Sequence, residues 1–145
     1  ALLAGEMSGH VCFADNYLGF DDAIFAAGRI LQIVAQSNQK VSEMLADLPV
    51  TAYTPEIRID CPDDKKFEIV SELTEFFRKQ YEVIDIDGVR INFNDGWALI
   101  RASNTQPVLV LRFEAETQSR LKELVGIIKK QMDHYQPVVQ FDYQA

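Results

Sequence analysis

Two short polar segments carry most of the side chains in this sequence that could do chemistry. The first, residues 101–107, reads RASNTQP and places a guanidinium, two hydroxyls and an amide within five positions. These groups are Arg101, Ser103, Asn104 and Thr105. Together with neighbouring backbone N–H groups, they are the hydrogen-bond donors that a phosphate requires. The same residues also fit an ordinary turn whose side chains bond to their own backbone, and composition by itself favours that simpler interpretation.

The second segment, residues 5–10, reads GEMSGH. Its two glycines let the backbone turn sharply and approach a ligand closely. Glu6 accepts hydrogen bonds, Ser8 donates or accepts them, and His10 can exchange a proton near neutral pH. This set suits the vicinal hydroxyls of a sugar. The alternative is a surface loop with an exposed glutamate and a packed histidine.

Composition excludes several classes of protein. The chain has 145 residues, with 14 basic and 22 acidic side chains that give a net charge of −8. An acidic chain of this kind is a poor candidate for a nucleic-acid or anionic-membrane binder, since both need a basic surface. The sequence also contains no apolar run of membrane-spanning length, no signal-peptide pattern and no Cys/His spacing typical of zinc. These features predict a soluble, cytoplasmic protein without a metal site of its own.

The first third of the chain predicts a strand, a loop and a helix. The apolar residues before Gly5 are typical of the end of a buried strand whose beginning is missing, which suggests a fragment of a longer protein. Residues 11–13 form a second short strand, and Asp21 or Asp22 caps a helix that runs to about Gln36. A shorter helix is expected over 42–46. The apolar residues of the long helix recur with helical period, and they are Ile24, Ala27, Ile30, Leu31, Val34 and Ala35.

The remainder of the chain predicts an α+β domain. Residues 48–55 contain two prolines and no charge, and we interpret them as a linker between residues 1–47 and residues 56–145. From residue 56 the order is β-α-β-β-β-β-α, which implies an antiparallel sheet with helices covering one face. The first helix is expected over 64–80, capped by Asp63, and its inward residues are Phe67, Val70, Leu73 and Phe76/Phe77. A hairpin with an Asp87-Gly88 type I′ turn follows, and its turn places five apolar side chains on one face, namely Ile84, Ile86, Val89, Ile91 and Phe93. The final helix is capped by Thr117, and its inward residues are Leu121, Leu124, Val125, Ile128 and Met132.

Both polar segments resemble parts of one family. GEMSGH, followed by a short strand and the segment FDDAIFAAGRIL, resembles the sugar-binding loop and next helix of domain 3 in the α-D-phosphohexomutases. RASNTQPVLVLRFEAE resembles the phosphate-binding loop and next strand of domain 4 in the same family. The two motifs stand in the family's order, and the resemblance covers nearly the whole chain. The runs EMS and RASNT are similar to the dual-specificity phosphomannomutase/phosphoglucomutases.

The resemblance implies a fold and a mechanism. The chain would comprise the C-terminal part of the sugar-binding α/β domain 3 and a four-to-five-stranded, TATA-box-binding-protein-like domain 4. In the family, a phosphoserine phosphorylates a hexose 1-phosphate, and the bound 1,6-bisphosphate reorients and returns its other phosphate to the serine. By this resemblance Glu6 and Ser8 bind the sugar 3- and 4-hydroxyls, and His10 assists proton transfer. The phosphate that does not react is held by Arg101, Ser103, Asn104 and Thr105.

The family's T-A-S-H-N-P phosphoserine motif and D-G-D-G-D-R magnesium loop do not occur in this sequence. Both belong to domains 1 and 2, so the resemblance implies that these domains, and the rest of domain 3, are partners of the chain. Magnesium and a hexose 1,6-bisphosphate would be cofactors bound with residues outside it. We therefore expect the chain alone to be inactive on a hexose phosphate. The alternative is a stand-alone α+β module that senses a phosphorylated metabolite without catalysis.

Overall fold

A computed structural model describes residues 1–6 and 8–143, and the chain divides into two compact units, residues 1–49 and 50–145. The first unit contains a hairpin of β1 (Leu3–Gly5) and β2 (Val11–Phe13), followed by α1 (Ala23–Gln36). Asp22 caps α1, because its carboxylate accepts from the backbone N–H groups of Ile24 and Phe25. The expected helix over 42–46 is replaced by a single 3-10 turn at Val41–Glu43.

The first unit buries little of its apolar surface. Ala26 is the one buried residue of α1, all of whose residues are described, whereas Ile24 is 87% exposed and Leu31 is 68% exposed. The residues before Gly5, expected to end a buried strand of a longer protein, form the short strand β1, and all of β1 is exposed in this chain. The physical reason is that a two-stranded hairpin and one helix offer too little surface to cover these side chains.

The second unit is the predicted antiparallel sheet with two helices. Its elements are β3 (Ala52–Tyr53), β4 (Ile57–Asp60), α2 (Asp63–Arg78), β5 (Glu82–Ile84), β6 (Val89–Phe93), β7 (Gly96–Ala102), β8 (Val108–Ala115) and α3 (Gln118–Met132), with a 3-10 turn at Asp133–Tyr135. The sheet order is β3-β8-β7-β6-β5, with β4 pairing along the rest of the β8 edge, and every pairing is antiparallel. The α+β class is therefore confirmed, with six strands.

Strand β3 lies inside the segment that we interpreted as a linker. Ala52 pairs with Ala115 and Tyr53 with Glu114. Thr54 is fully buried, and its hydroxyl accepts from the backbone N–H of Phe113 at 3.1 Å. These residues are thus part of the second unit's sheet. A strand of two residues has no alternating pattern that a sequence could display.

The core lies between the helices and one face of the sheet. All five inward positions predicted for α3 are buried, which confirms its period. In α2, the expectations for Phe67 and Phe76 are wrong, because both side chains are exposed. The buried positions include Lys66, Ile69 and Thr74 instead. Asp63 is not the cap either. Pro62 precedes the helix, Asp63 is its first residue, and the Asp63 carboxylate accepts from the Lys66 ammonium.

The hairpin of β5 and β6 differs from the predicted register. Ile84 pairs with Arg90, and residues 85–88 form the connection, so Ile86 is 93% exposed rather than inward. A type I′ turn needs a left-handed backbone at both central residues. Gly88 adopts one, with φ +78°, but Asp87 does not, so the two-residue turn does not form.

Candidate functional site

The loop of residues 103–107 connects β7 to β8 and is organised by Ser103. The Ser103 backbone N–H donates to the Val108 carbonyl at 3.0 Å. Its hydroxyl oxygen accepts from the backbone N–H groups of Thr105 at 3.4 Å and Gln106 at 3.2 Å. The simpler interpretation of an ordinary turn thus holds for Ser103. Because this oxygen accepts two bonds, its own proton is left to donate to a ligand. Asn104 and Thr105 are exposed beside it.

Arg101 stands at the start of this loop, next to the last residue of β7. Its neighbours Ile100 and Ala102 point into the core, so the Arg101 side chain lies on the opposite face of the sheet and is 40% exposed. One terminal nitrogen, Nη2, lies 3.2 Å from Asp87 Oδ2. Sequence patterns do not predict this pair, because Asp87 lies in a different hairpin from Arg101.

Gly88 packs directly against the backbone that carries Arg101. A Cβ atom at position 88 would lie 2.3 Å from the Ile100 carbonyl oxygen and 2.7 Å from the Arg101 Cα. Both distances are shorter than any real Cβ contact, and the φ of +78° also disfavours a side chain. Position 88 therefore requires glycine, and the 85–88 connection supports Arg101 through both the Asp87 carboxylate and this close backbone contact.

Residues 5, 6 and 8–10 lie in a turn at the end of β1. The Glu6 backbone N–H donates to the His10 carbonyl at 3.0 Å, and the Gly9 N–H donates to the Glu6 carbonyl at 3.0 Å. The turn brings the exposed side chains of Glu6 and His10 together, with His10 Nε2 3.9 Å from Glu6 Oε1. Ser8 is exposed in the same turn, and Met7 lies outside the described residues.

Asp21 is the partner of His10 that sequence analysis missed. His10 Nδ1 is hydrogen-bonded to Asp21 Oδ2. The backbone of Asp21 forms a β-bridge with Cys12, which holds the residue beside β2. The hydrogen bond and charge of Asp21, with a smaller contribution from Glu6, raise the pKa of His10 above its ordinary value of 6.5. The two neighbouring aspartates thus have different roles, since Asp22 caps α1 and Asp21 orients His10.

The described residues contain no group of three or more His, Cys, Asp or Glu side chains that could hold a metal ion. Among the same residues, no helix is long and apolar enough to cross a membrane.

Comparison with known proteins places both units in one family. Residues 56–131 match the family model described as the C-terminal domain of phosphoglucomutase/phosphomannomutase. Residues 1–52 match the model described as the alpha/beta/alpha domain III of phosphoglucomutase/phosphomannomutase.

Several relatives match over nearly the whole chain. The phosphomannomutase/phosphoglucomutase of Pseudomonas putida is 40% identical over 144 residues, which are 99% of this chain and 31% of the relative. The phosphoglucomutase of Neisseria gonorrhoeae is 46% identical over 132 residues, covering 89% of this chain and 28% of the relative. A crystal structure of a phosphoglucomutase/phosphomannomutase family protein from Burkholderia thailandensis aligns with a TM-score of 0.80 at 34% identity, covering 99% of this chain and 30% of that one. The chain thus spans about 30% of the length of these relatives.

Proposed function

Since the chain belongs to the phosphoglucomutase/phosphomannomutase family, we propose that it is the substrate-binding C-terminal portion of an enzyme that interconverts hexose 1-phosphates and hexose 6-phosphates, with mannose or glucose as the sugar. The observation that carries this proposal is the β7–β8 loop. It gathers the Arg101 guanidinium, the free proton of Ser103 and the exposed Asn104 and Thr105 side chains at one end of a well-packed sheet.

We assign this loop to the phosphate that does not react. A phosphate ester carries close to two negative charges at neutral pH, so a guanidinium and several neutral donors suit it. The sequence contains no acidic residue between Asp95 and Glu114, and the Asp87 contact to Arg101 is made at Nη2. Holding the remote phosphate fixes one end of the sugar, and positioning of this kind supplies a large part of catalysis.

We assign the 5–10 turn to the sugar. The Glu6 carboxylate accepts hydrogen bonds from sugar hydroxyls, and the Ser8 hydroxyl can donate or accept. His10 would exchange a proton with the reacting hydroxyl through Nε2, because Nδ1 is bonded to Asp21. The raised pKa keeps a larger fraction of His10 protonated near neutral pH, which suits a group that alternately gives and takes a proton.

The chemical step itself needs groups that the described residues do not supply. In the proposed reaction, a phosphoserine gives its phosphoryl group to the free hydroxyl of a hexose monophosphate, which produces a bound 1,6-bisphosphate. The other phosphoryl group then returns to the serine. Residues outside this chain would bind the magnesium and supply the nucleophilic serine. The chain by itself would therefore bind a hexose phosphate and not convert it.

The proposal is tested by adding glucose 6-phosphate or mannose 6-phosphate to the 145-residue chain and following its amide resonances. We expect weak binding with shifts concentrated at 101–105. Arg101→Ala should weaken it by at least about tenfold, because a charge-assisted hydrogen bond is lost. The matched control is Arg78→Ala, which removes another exposed arginine paired with an aspartate, Asp85.

Three outcomes would contradict the proposal. An Arg101→Ala chain that binds as well as the original would remove the loop from the phosphate site. Tight binding by the chain alone would favour the stand-alone sensing module. Conversion of glucose 1-phosphate by the pure chain would refute the assignment of the chemical step to residues outside it.

A further inference from the structure

Lys66 is a buried charge that the proposed mechanism does not use. It lies in the first turns of α2 and is 3% exposed. Lysine is almost never fully buried unless its ammonium is paired, because removing that charge from water is costly. The contacts of Lys66 therefore call for an explanation.

Two hydrogen bonds account for the Lys66 ammonium. Its Nζ donates to Asp63 Oδ1 at 2.5 Å and to the backbone carbonyl oxygen of Gln106 at 3.0 Å. The first partner belongs to the same helix. The second is 40 positions further along the chain, inside the 103–107 loop. The ammonium thus ties the beginning of α2 to that loop.

Each acceptor of this ammonium has another source of hydrogen bonds. Without it, the Gln106 carbonyl would still accept from the backbone N–H of Val108 at 2.8 Å. The Asp63 side chain is 71% exposed, so its carboxylate would remain in contact with water. No polar group would be left buried and unpaired. An apolar side chain of similar length would even avoid the cost of burying a charge, and such replacements are often neutral or stabilising.

The loop, in contrast, gains its bond to α2 from this ammonium. The bonds made by Ser103 hold the loop to itself but do not fix it to the helix layer. The Pro107 carbonyl also accepts from the Cys61 backbone N–H at 2.9 Å, and the Gln106 amide oxygen accepts from Arg58, but both donors precede α2. Lys66 supplies the attachment to α2 itself, near the end of the loop that is far in sequence from Arg101. The donors of Ser103, Asn104 and Thr105 must keep a fixed position relative to Arg101 if all are to reach one phosphate.

We propose that Lys66 is a positioning residue for phosphate binding, which it serves by holding the 103–107 loop through the Gln106 carbonyl. The inference rests on the proposed function of that loop. It differs from a purely structural role because it predicts that affinity and stability respond separately when the ammonium is removed.

The test compares Lys66→Met with Lys65→Met in the 145-residue chain. Lys65 is the adjacent lysine, but it is exposed and pairs with Glu68 rather than with the loop. We expect Lys66→Met to weaken glucose 6-phosphate binding by about three- to tenfold, the effect of one hydrogen bond. Its melting temperature should stay the same or rise, and the Thr105 and Gln106 amides should exchange with solvent faster. Lys65→Met should change none of these.

Each contrary result has a distinct meaning. Unchanged affinity in Lys66→Met, with Arg101→Ala impaired, overturns the role of Lys66 while the proposed function stands. A Lys66→Met chain that melts at a lower temperature or fails to fold makes Lys66 a structural residue and also overturns the inference. If the original chain shows no binding, the proposed function fails, and the exchange rates of Thr105 and Gln106 still decide whether Lys66 holds the loop.

Discussion

The 103–107 loop and the 5–10 turn differ most in the structure that supports them. The first follows the central strand β7, whose inward residues are fully buried under α2 and α3. The second follows an exposed strand of three residues, beside a helix that leaves most of its apolar side chains in water. Two candidate binding segments of similar length thus depend on very different sources of order. One relies on a packed core, the other on a few local hydrogen bonds.

The largest effect expected from this contrast is the difference in stability lost when one leucine is truncated in each unit. Leu124→Ala removes a fully buried side chain of the second unit and should lower the free energy of unfolding by about 2–5 kcal/mol. Leu31→Ala, in the exposed helix α1, should change it by less than about 0.5 kcal/mol. Urea denaturation followed by circular dichroism measures both. Equal losses of unfolding free energy in the two variants would mean that α1 is buried in solution, which would contradict the difference described between the two units.

A smaller effect is expected where the 85–88 connection meets β7. Gly88→Ala should destabilise the chain by about 1–3 kcal/mol, since the new methyl group would collide with backbone atoms of Ile100 and Arg101. Phosphate binding should weaken as Arg101 shifts. The matched control is Gly126→Ala on the exposed face of α3, where nothing lies within 4 Å of the added carbon. That change should stabilise the chain by about 0.5–1 kcal/mol, because alanine favours helix. Similar destabilisation by both changes would contradict the role assigned to Gly88.

The smallest effect concerns the 5–10 turn and is a change in pH dependence. Asp21→Asn should lower the pKa of His10 toward its ordinary value, and Glu6→Gln should lower the pKa less, because Asp21 contributes the larger share of the shift. A group whose pKa is raised on folding adds stability that is present below the unfolded pKa and is lost as the pH rises through the folded pKa. The stabilisation from His10 should therefore fade as the pH rises from about 6.5. Nuclear magnetic resonance titration of the imidazole protons measures both variants, and an unmoved pKa in Asp21→Asn would show that the pair does not form.

Sequence patterns within a short segment predicted the features that depend on interactions within that segment. The inward face of α3 follows from the spacing of its apolar residues, and Asp22 caps α1 because a short carboxylate there can reach two free N–H groups. The sequence predicts a loop at 102–107, since polar residues and a proline interrupt two apolar strands, and the observed loop begins one residue later because Ala102 still belongs to β7.

The remaining features depend on contacts between distant residues, which no single segment reveals. Asp63 has the right residue type for a cap, but the backbone enters the helix one residue earlier. The pairs of Lys66 with Gln106, Arg101 with Asp87 and His10 with Asp21 each join separate elements. Lys66 also stands at a position where the helical period alone would place an ordinary surface lysine. These are the contacts that shape the candidate site, so its composition was easier to predict than its geometry.

The attachment of Lys66 to a main-chain oxygen has an evolutionary consequence. Every residue type offers a carbonyl, so the side chain at position 106 can change without removing this contact. A replacement of Gln106 would forfeit only the bond that Arg58 donates to its amide oxygen at 2.5 Å, on the exposed surface. If Lys66 has the proposed role, replacement of the Gln106 side chain should be tolerated in homologous sequences more readily than replacement of the lysine that bonds to it.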